Sequence, residues 1–151
     1  MKLTSAHQNL LKKAMDLAIQ VHGEQLDRYG QPYLLHVCRV ASAMQTPMLR
    51  TAALLHDVVE DSDITVDDLV NEGFSTEIAT IVDCLTKREG EPYDDYINRV
   101  VTSRAAITIK LADLEDNMDA RRLPEMDNDS VQRYREKYLP AFKRLQALIE
   151  L

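Results

Sequence analysis

The sequence predicts an all-α, single-domain bundle of about eight helices, and three observations carry that expectation. Turn residues are scarce: 4 glycines and 5 prolines in 151 residues are too few for a sandwich or barrel of short strands. Apolar residues recur with helical rather than alternating spacing along most of the chain. An apolar content of 45% beside 28% charged residues is ordinary globular composition, enough for one core at this length. No linker, repeat or low-complexity segment interrupts residues 1–151, so one unit is expected.

The first helix is expected over Ser5–His22, where Leu10, Leu11, Met15, Ala18, Ile19 and His22 form a stripe. GEQLDRYGQ reads as loop from its two glycines and polar content. Pro32 opens a second helix carrying Leu34, Leu35, Val37, Val40, Ala41 and Met44, because its fixed φ suits a first helical turn. Pro47 opens a third, running through TAALLHDVVED to an acidic end. Asp63 or Thr65 caps a short fourth helix through Val70, stopped at Gly73. Ser75 caps a fifth with Ile78, Ile81, Val82 and Leu85 facing inward. Pro92 begins a sixth, through about Val101. In AAITIKLADLEDNMD, Ile107, Ile109 and Leu111 alternate as in a strand. Ile107, Leu111, Leu114 and Met118 keep helical spacing over a longer span, so helix is expected. A last helix spans about Ser130–Ile149, with Tyr134, Tyr138, Phe142, Leu145 and Leu148 or Ile149 inward. Pro140 inside it predicts a kink or a break.

The formal net charge of −7 speaks against a basic, nucleic-acid-binding face. The N-terminal MKLTSAHQNLLKKA has no apolar signal core, and no run approaches the roughly 18 apolar residues of a membrane span. Cys38 and Cys84 lie in apolar runs rather than a C-x-x-C pair, as free thiols of a reducing compartment do. A soluble cytoplasmic protein is the expectation.

Four residues stand out chemically: His36, the adjacent His56 and Asp57, and Asp113. Each falls in a stretch predicted to be buried helix, where an unpaired charge is unfavourable. Two imidazoles and two carboxylates suit a divalent ion of borderline hardness such as Mn²⁺, Fe²⁺ or Zn²⁺. Glu60 follows His56 by four residues and Asp61 follows Asp57 by four, so each pair is expected on one helix face. Carboxylates at a helix C-terminus oppose the macrodipole, a conflict that a bound cation removes. Asp113 interrupts the apolar IKLADL run, with Lys110 one turn before it and Asn117 one turn after. Pairing of Asp113 with Lys110 is the alternative reading of that aspartate.

The succession YLLH, LLHDVVED and IKLADLEDN resembles the HD-domain metal phosphohydrolases. More narrowly it resembles the alarmone hydrolases, both the hydrolase domain of Rel/SpoT enzymes and the stand-alone small alarmone hydrolases. The likeness runs from AIQVHGEQLDRYGQPYLLH through VDCLTK to LADLEDN, and the last thirty or so residues carry little of it. It implies His36, His56, Asp57 and Asp113 as metal ligands, with Mn²⁺ the usual ion and Fe²⁺ or another divalent ion as alternatives. Glu60 and Asp61 match the acidic pair associated with catalysis, Arg28 a basic residue near the nucleotide, and Asn117 a substrate-contacting asparagine. Two departures are visible: Val37 stands where many relatives have proline, and the spacing from His56–Asp57 to Asp113 is short.

The implied reaction is Mn²⁺-dependent hydrolysis of the 3′-pyrophosphate of guanosine tetra- or pentaphosphate by metal-activated water, giving GDP and pyrophosphate from the tetraphosphate. Alternatives are an HD phosphohydrolase for another nucleotide, such as a deoxynucleoside 5′-monophosphate, and a non-catalytic metal- or nucleotide-binding HD module. Glu60 is the expected base or water-positioning residue, with Asp61 assisting it or protonating the leaving group. Arg28, Lys87, Arg88 and Lys110 are the expected phosphate cations, although Lys87 and Arg88 equally suit an exposed helix end. Tyr29 and Tyr33 are expected in structural roles, His7 and His22 at the surface or in the core, and Arg121–Arg122 in a solvated turn. The expected partner is a small nucleotide, with no nucleic acid or membrane involved.

Overall fold

The computed structural model describes residues 2–119, 121 and 127–150, and among them the chain is helical, with a lone β-bridge joining Leu26 and Pro32. The helices are α1 (Ser5–His22), α2 (Tyr33–Ser42), α3 (Pro47–Leu55), α4 (Val66–Asn71) and α5 (Thr76–Leu85). They continue with α6 (Tyr93–Val100), α7 (Arg104–Asn117), α8 (Asn128–Arg133) and α9 (Leu139–Ile149). Their starts are written locally. Thr4, Thr46, Thr65, Ser75, Ser103 and Asp127 each accept a hydrogen bond from a free first-turn amide. Thr65 and Asp68 do so reciprocally. The ambiguous AAITIKLADLEDN segment is helix, closed at its N-terminus by Ser103.

The core gathers around α3, which packs against α1, α2, α5 and α7. Ala52, Ala53 and Leu55 are fully buried there, and the two alanines allow close approach of the neighbouring helices. Val37 and Val40 of α2, Val82 and Leu85 of α5, and Ile109 and Leu114 of α7 close the interior. Two residues expected inside are half-exposed, Ile19 at 47% and Leu35 at 48%. Each adjoins a buried residue (Ala18, His36) and so points about 100° away from it around the helix. No described helix is long and apolar enough to cross a membrane.

The third helix ends earlier than expected. It stops at Leu55, and residues 56–61 form hydrogen-bonded turns rather than a continued α-helix. The His56 and Val58 amides reach back only three residues, to Ala53 O (3.3 Å) and Leu55 O (3.0 Å). The His56 ring competes as well, its Nδ1–H donating to Ala53 O at 2.5 Å. Asp57 and Asp61 still span one helical turn, since the Asp61 amide donates to Asp57 O at 3.0 Å.

Pro140 divides the last helix as its ring demands. Residues Tyr134–Tyr138 form a π turn, in which the Leu139 amide bonds Tyr134 O, five residues back. Proline lacks an N–H and clashes with the carbonyl four residues earlier, and one extra residue in the turn relieves both. The turn aims Tyr134 and Tyr138 at a cleft between helices.

Arg99 ties α6 to the C-terminal end of α5. It donates to Asp83 O (2.9 Å) and Thr86 O (2.6 Å), and to both carboxylate oxygens of Glu91 (2.6 and 2.9 Å). A cation among terminal carbonyls also complements the dipole of α5. The Arg99 hydrogen bonds, followed by that from the Arg88 amide, hold the Glu91 carboxyl down from its usual 4.5 to about 2. A depressed carboxylate stabilises the fold above its unfolded pKa and loses that contribution as pH falls through its folded one. Glu91→Gln is therefore expected to lower the melting temperature at pH 7, with the gap to wild type closing between pH 4.5 and about 2. Thermal denaturation followed by circular dichroism across that range checks this.

Candidate metal centre

α2, the end of α3 and α7 converge on one point. α2 brings His36, the turn after α3 brings His56 and Asp57, and α7 brings Asp113. Each offers one donor atom, and these atoms lie within 4.8 Å of one another. His36, His56 and Asp113 are buried and Asp57 nearly so. Segments separated by more than seventy residues in sequence thus deliver the expected four ligands together.

The donor chemistry fits a divalent ion. His56 Nδ1–H is fixed on Ala53 O, which leaves Nε2 turned toward the cluster. That nitrogen is buried without a hydrogen-bond partner among the described residues, although Asp57 Oδ2 lies 3.0 Å and Asp113 Oδ1 3.5 Å away. An orphaned buried nitrogen between two carboxylates is the arrangement a cation completes. His36 Nδ1–H donates to Asp116 Oδ2 at 2.6 Å, and its Nε2 lies 2.9 Å from Asp113 Oδ1. Asp116 therefore orients one imidazole and Ala53 O the other.

The electrostatics show how strongly this point attracts positive charge. Burial opposes the imidazolium of His36, but its hydrogen bonds to Asp113 and Asp116 outweigh burial and lift it to about 8. Burial likewise opposes charge on His56, and the Asp57 charge and Asp113 hold it well above its ordinary value. Burial would push the Asp57 carboxyl up, yet the His56 charge carries it down to about 2. Burial is overridden at Asp113 too, first by Lys110 and then by the two histidines, and its carboxyl lies well below the usual range.

A cleft of about 350 Å³ opens onto the cluster. Of the expected substrate residues, Arg28, Lys110 and Asn117 line it, whereas Lys87 and Arg88 do not. Lys110 is already paired, its Nζ 2.7 Å from Asp113 Oδ2, while Asp113 Oδ1 stays turned to His36 in the cluster. The Lys87 amide donates to Glu60 Oε1 at 2.7 Å, which makes the backbone of Lys87 its tie to the site. Arg88 forks onto Asp83.

The acidic pair divides. Glu60 lines the cleft and Asp61 does not. Asp61 instead accepts from Gln25 Nε2 at 3.4 Å and lies 3.7 Å from His22 Nδ1. Burial, then the charge of Asp57, raises both carboxyls.

His22 is a core residue, as expected, bonded to Gln25 Oε1 at 2.8 Å. Tyr33 has more than a packing role, since its hydroxyl donates to Asp57 Oδ2. Asp116 and Arg39 escaped the sequence reading. Their signal was the placement of Asp116 three residues after Asp113 on one helix face, beside the charged Arg39 in an apolar α2. Of Arg121–Arg122, Arg121 is exposed and bonded to Asp119, and Arg122 lies outside the described residues.

A sequence model of the HD domain family matches residues 14–93, which includes three of the four clustered donors. The chain belongs to the HD domain family. Among HD relatives, a "probable GTP pyrophosphokinase" of Mycobacterium leprae is 34% identical over 131 residues, covering 78% of this chain and 16% of that protein. A guanosine-3′,5′-bis(diphosphate) 3′-pyrophosphohydrolase of Aquifex aeolicus is 31% identical over 124 residues, covering 74% and 18%. The chain thus spans less than a quarter of the length of either relative. A solved structure of a metazoan ortholog of SpoT that hydrolyses ppGpp aligns with a TM-score of 0.69 at 23% identity, covering 99% of this HD chain and 97% of that one. That likeness confirms the helical fold.

Removing the Asp116 carboxylate leaves His36 without its orienting acceptor. Asp116→Ala is expected to weaken divalent-metal affinity about 10- to 100-fold, the range for lost outer-shell partners. In wild type, a divalent ion at about 100 times its Kd is expected to add roughly 2.7 kcal/mol of stability. Calorimetric metal titration and thermal melts with and without EDTA measure the two.

Proposed function

We propose that the protein is a divalent-metal phosphohydrolase that removes the 3′-pyrophosphate of guanosine tetra- or pentaphosphate, with Mn²⁺ as its ion. The observation that carries this reading is the His36, His56, Asp57, Asp113 donor set, three of which line a cleft that also holds Glu60, Arg28 and Asn117. The naming of several relatives as guanosine-3′,5′-bis(diphosphate) 3′-pyrophosphohydrolases supports the substrate.

His36 Nε2, His56 Nε2, Asp57 and Asp113 would hold the ion. When bound, it supplies Lewis acidity and lowers the pKa of a water molecule it holds. The residues of the chain do the rest. The Lys87 amide occupies Glu60 Oε1 and leaves Oε2 to accept the proton of the attacking water. The raised carboxyl of Glu60 makes it a better base than an ordinary glutamate. Tyr33 holds Asp57 by its hydroxyl, and Lys110 holds Asp113, so both carboxylates keep their orientation as charge moves. Asp61, outside the cleft lining and tied to Gln25, supports the turn that carries Asp57 and Glu60. Arg28 and Asn117 on the wall would meet the substrate.

Metal-stripped protein with added Mn²⁺ is expected to convert guanosine tetraphosphate to GDP and pyrophosphate, resolved by anion-exchange chromatography. Asp57→Ala is expected to lose metal and turnover together. Glu60→Ala is expected to keep metal while kcat falls about 10²- to 10⁴-fold, the usual worth of a general base. Full activity in Glu60→Ala would remove the base from Glu60. Orthophosphate as the sole inorganic product, from a deoxynucleoside monophosphate, would move the reading to the nucleotidase alternative.

A further inference from the structure

We propose that Arg39 is a phosphate-binding residue of the cleft, held ready for an anionic ligand by Asp116. The proposal rests on the reading of the cleft as a phosphate-ester site and deepens it.

The cleft wall has a charge problem. Asp27, Asp57, Glu60, Asp113 and Asp116 line it, against Arg28, Arg39 and Lys110. A polyphosphate entering that wall meets net negative charge, and a divalent ion at the four donors offsets only part of it. The available cations are fewer than they look. Lys110 has a side chain only 12% exposed, sits 2.7 Å from Asp113, and lies over the Tyr96 ring at 5.2 Å. Arg88 is bound to Asp83 outside the cleft. Arg28 and Arg39 are what remains.

Arg39 is built for the task. Its Nε donates to Asp116 Oδ1 at 2.6 Å and its Nη2 to Asp116 Oδ2 at 3.1 Å, a bidentate fork that fixes the guanidinium plane. Its Nη1 has no hydrogen-bond partner among the described residues, and the side chain is 38% exposed on the cleft wall. The guanidinium thus meets an incoming phosphate already oriented, and little side-chain freedom is lost on binding. A purely structural arginine would serve Asp116 equally well buried, and this one is open to the cleft.

Position adds a second consequence. Asp116 also accepts from Nδ1 of His36, whose Nε2 belongs to the donor cluster. Arg39, Asp116 and His36 form a continuous line from the wall to the metal centre. A phosphate on Arg39 therefore sits one carboxylate and one imidazole away from the donor cluster.

The test separates a ligand-binding arginine from one that merely holds Asp116. Arg39→Ala and Arg39→Lys are assayed with guanosine tetraphosphate at saturating Mn²⁺, and Mn²⁺ affinity is measured without substrate. A lost charge-assisted bond predicts that kcat/KM falls by about tenfold or more in Arg39→Ala. The fall is expected chiefly in KM, with partial recovery in Arg39→Lys and Mn²⁺ affinity within about threefold of wild type. An unchanged KM overturns the proposal. A loss of Mn²⁺ affinity and kcat with KM intact overturns it too, since Arg39 would then act only through Asp116. If the wild type turns over no guanosine tetraphosphate with any divalent ion, the reaction reading fails separately. Inorganic pyrophosphate titrated calorimetrically into the metal-free protein in EDTA then decides the role of Arg39. Binding about tenfold weaker in Arg39→Ala sustains the proposal, whereas equal binding, or none by the wild type, overturns it.

Discussion

Asp113 is the constraint on which the rest of the molecule depends. Its carboxylate is buried on α7 and takes Lys110 at 2.7 Å, His36 Nε2 at 2.9 Å and His56 Nε2 within 3.5 Å. Removing a carboxylate from water costs several kcal/mol, and only well-placed partners offset it. The two histidines come from α2 and from the turn after α3, so three elements must meet at one point for the charge to be tolerated. The small residues Ala52 and Ala53 of α3 permit that approach. Core packing and site assembly are here the same event.

The early end of α3 follows from that convergence. A continued helix would fix His56, Asp57 and Glu60 in a rigid spiral, with their carboxylates at an unfavourable dipole end. The turns instead let His56 seat Nδ1 on Ala53 O, aim Nε2 at the cluster, and place Glu60 against the Lys87 amide. Arg99 anchors the segment carrying Lys87 by gripping Thr86 O and Glu91, so a contact far from the donors supports the position of Glu60.

Much was legible in local sequence. Helix starts at Thr4, Thr46, Thr65, Ser75 and Ser103 are set by side chains that cap neighbouring amides, and such signals lie within four residues of their targets. Pro140 announced its break. The four donors were legible because histidine and aspartate in apolar stretches are chemically out of place unless something pairs them. Ile19 and Leu35 were misread because a helical stripe has a width, and only tertiary neighbours decide which flank is covered. The place of Asp61 outside the cleft lining was not legible for a related reason: a spacing of four puts it beside Asp57 without saying which faces the cleft.

By itself, then, the sequence determined the helical class, most helix starts and the identity of the four clustered donors, because caps, periodicity and misplaced charges are local properties. The tertiary structure alone decided how the charges are shared. It assigned Asp116 to both His36 and Arg39, joined Tyr33 to Asp57, and left Arg39 open on the cleft wall. Those pairings join residues as far apart as Arg39 and Asp116, and electrostatic partnership depends on distance and burial in space, which no local pattern encodes.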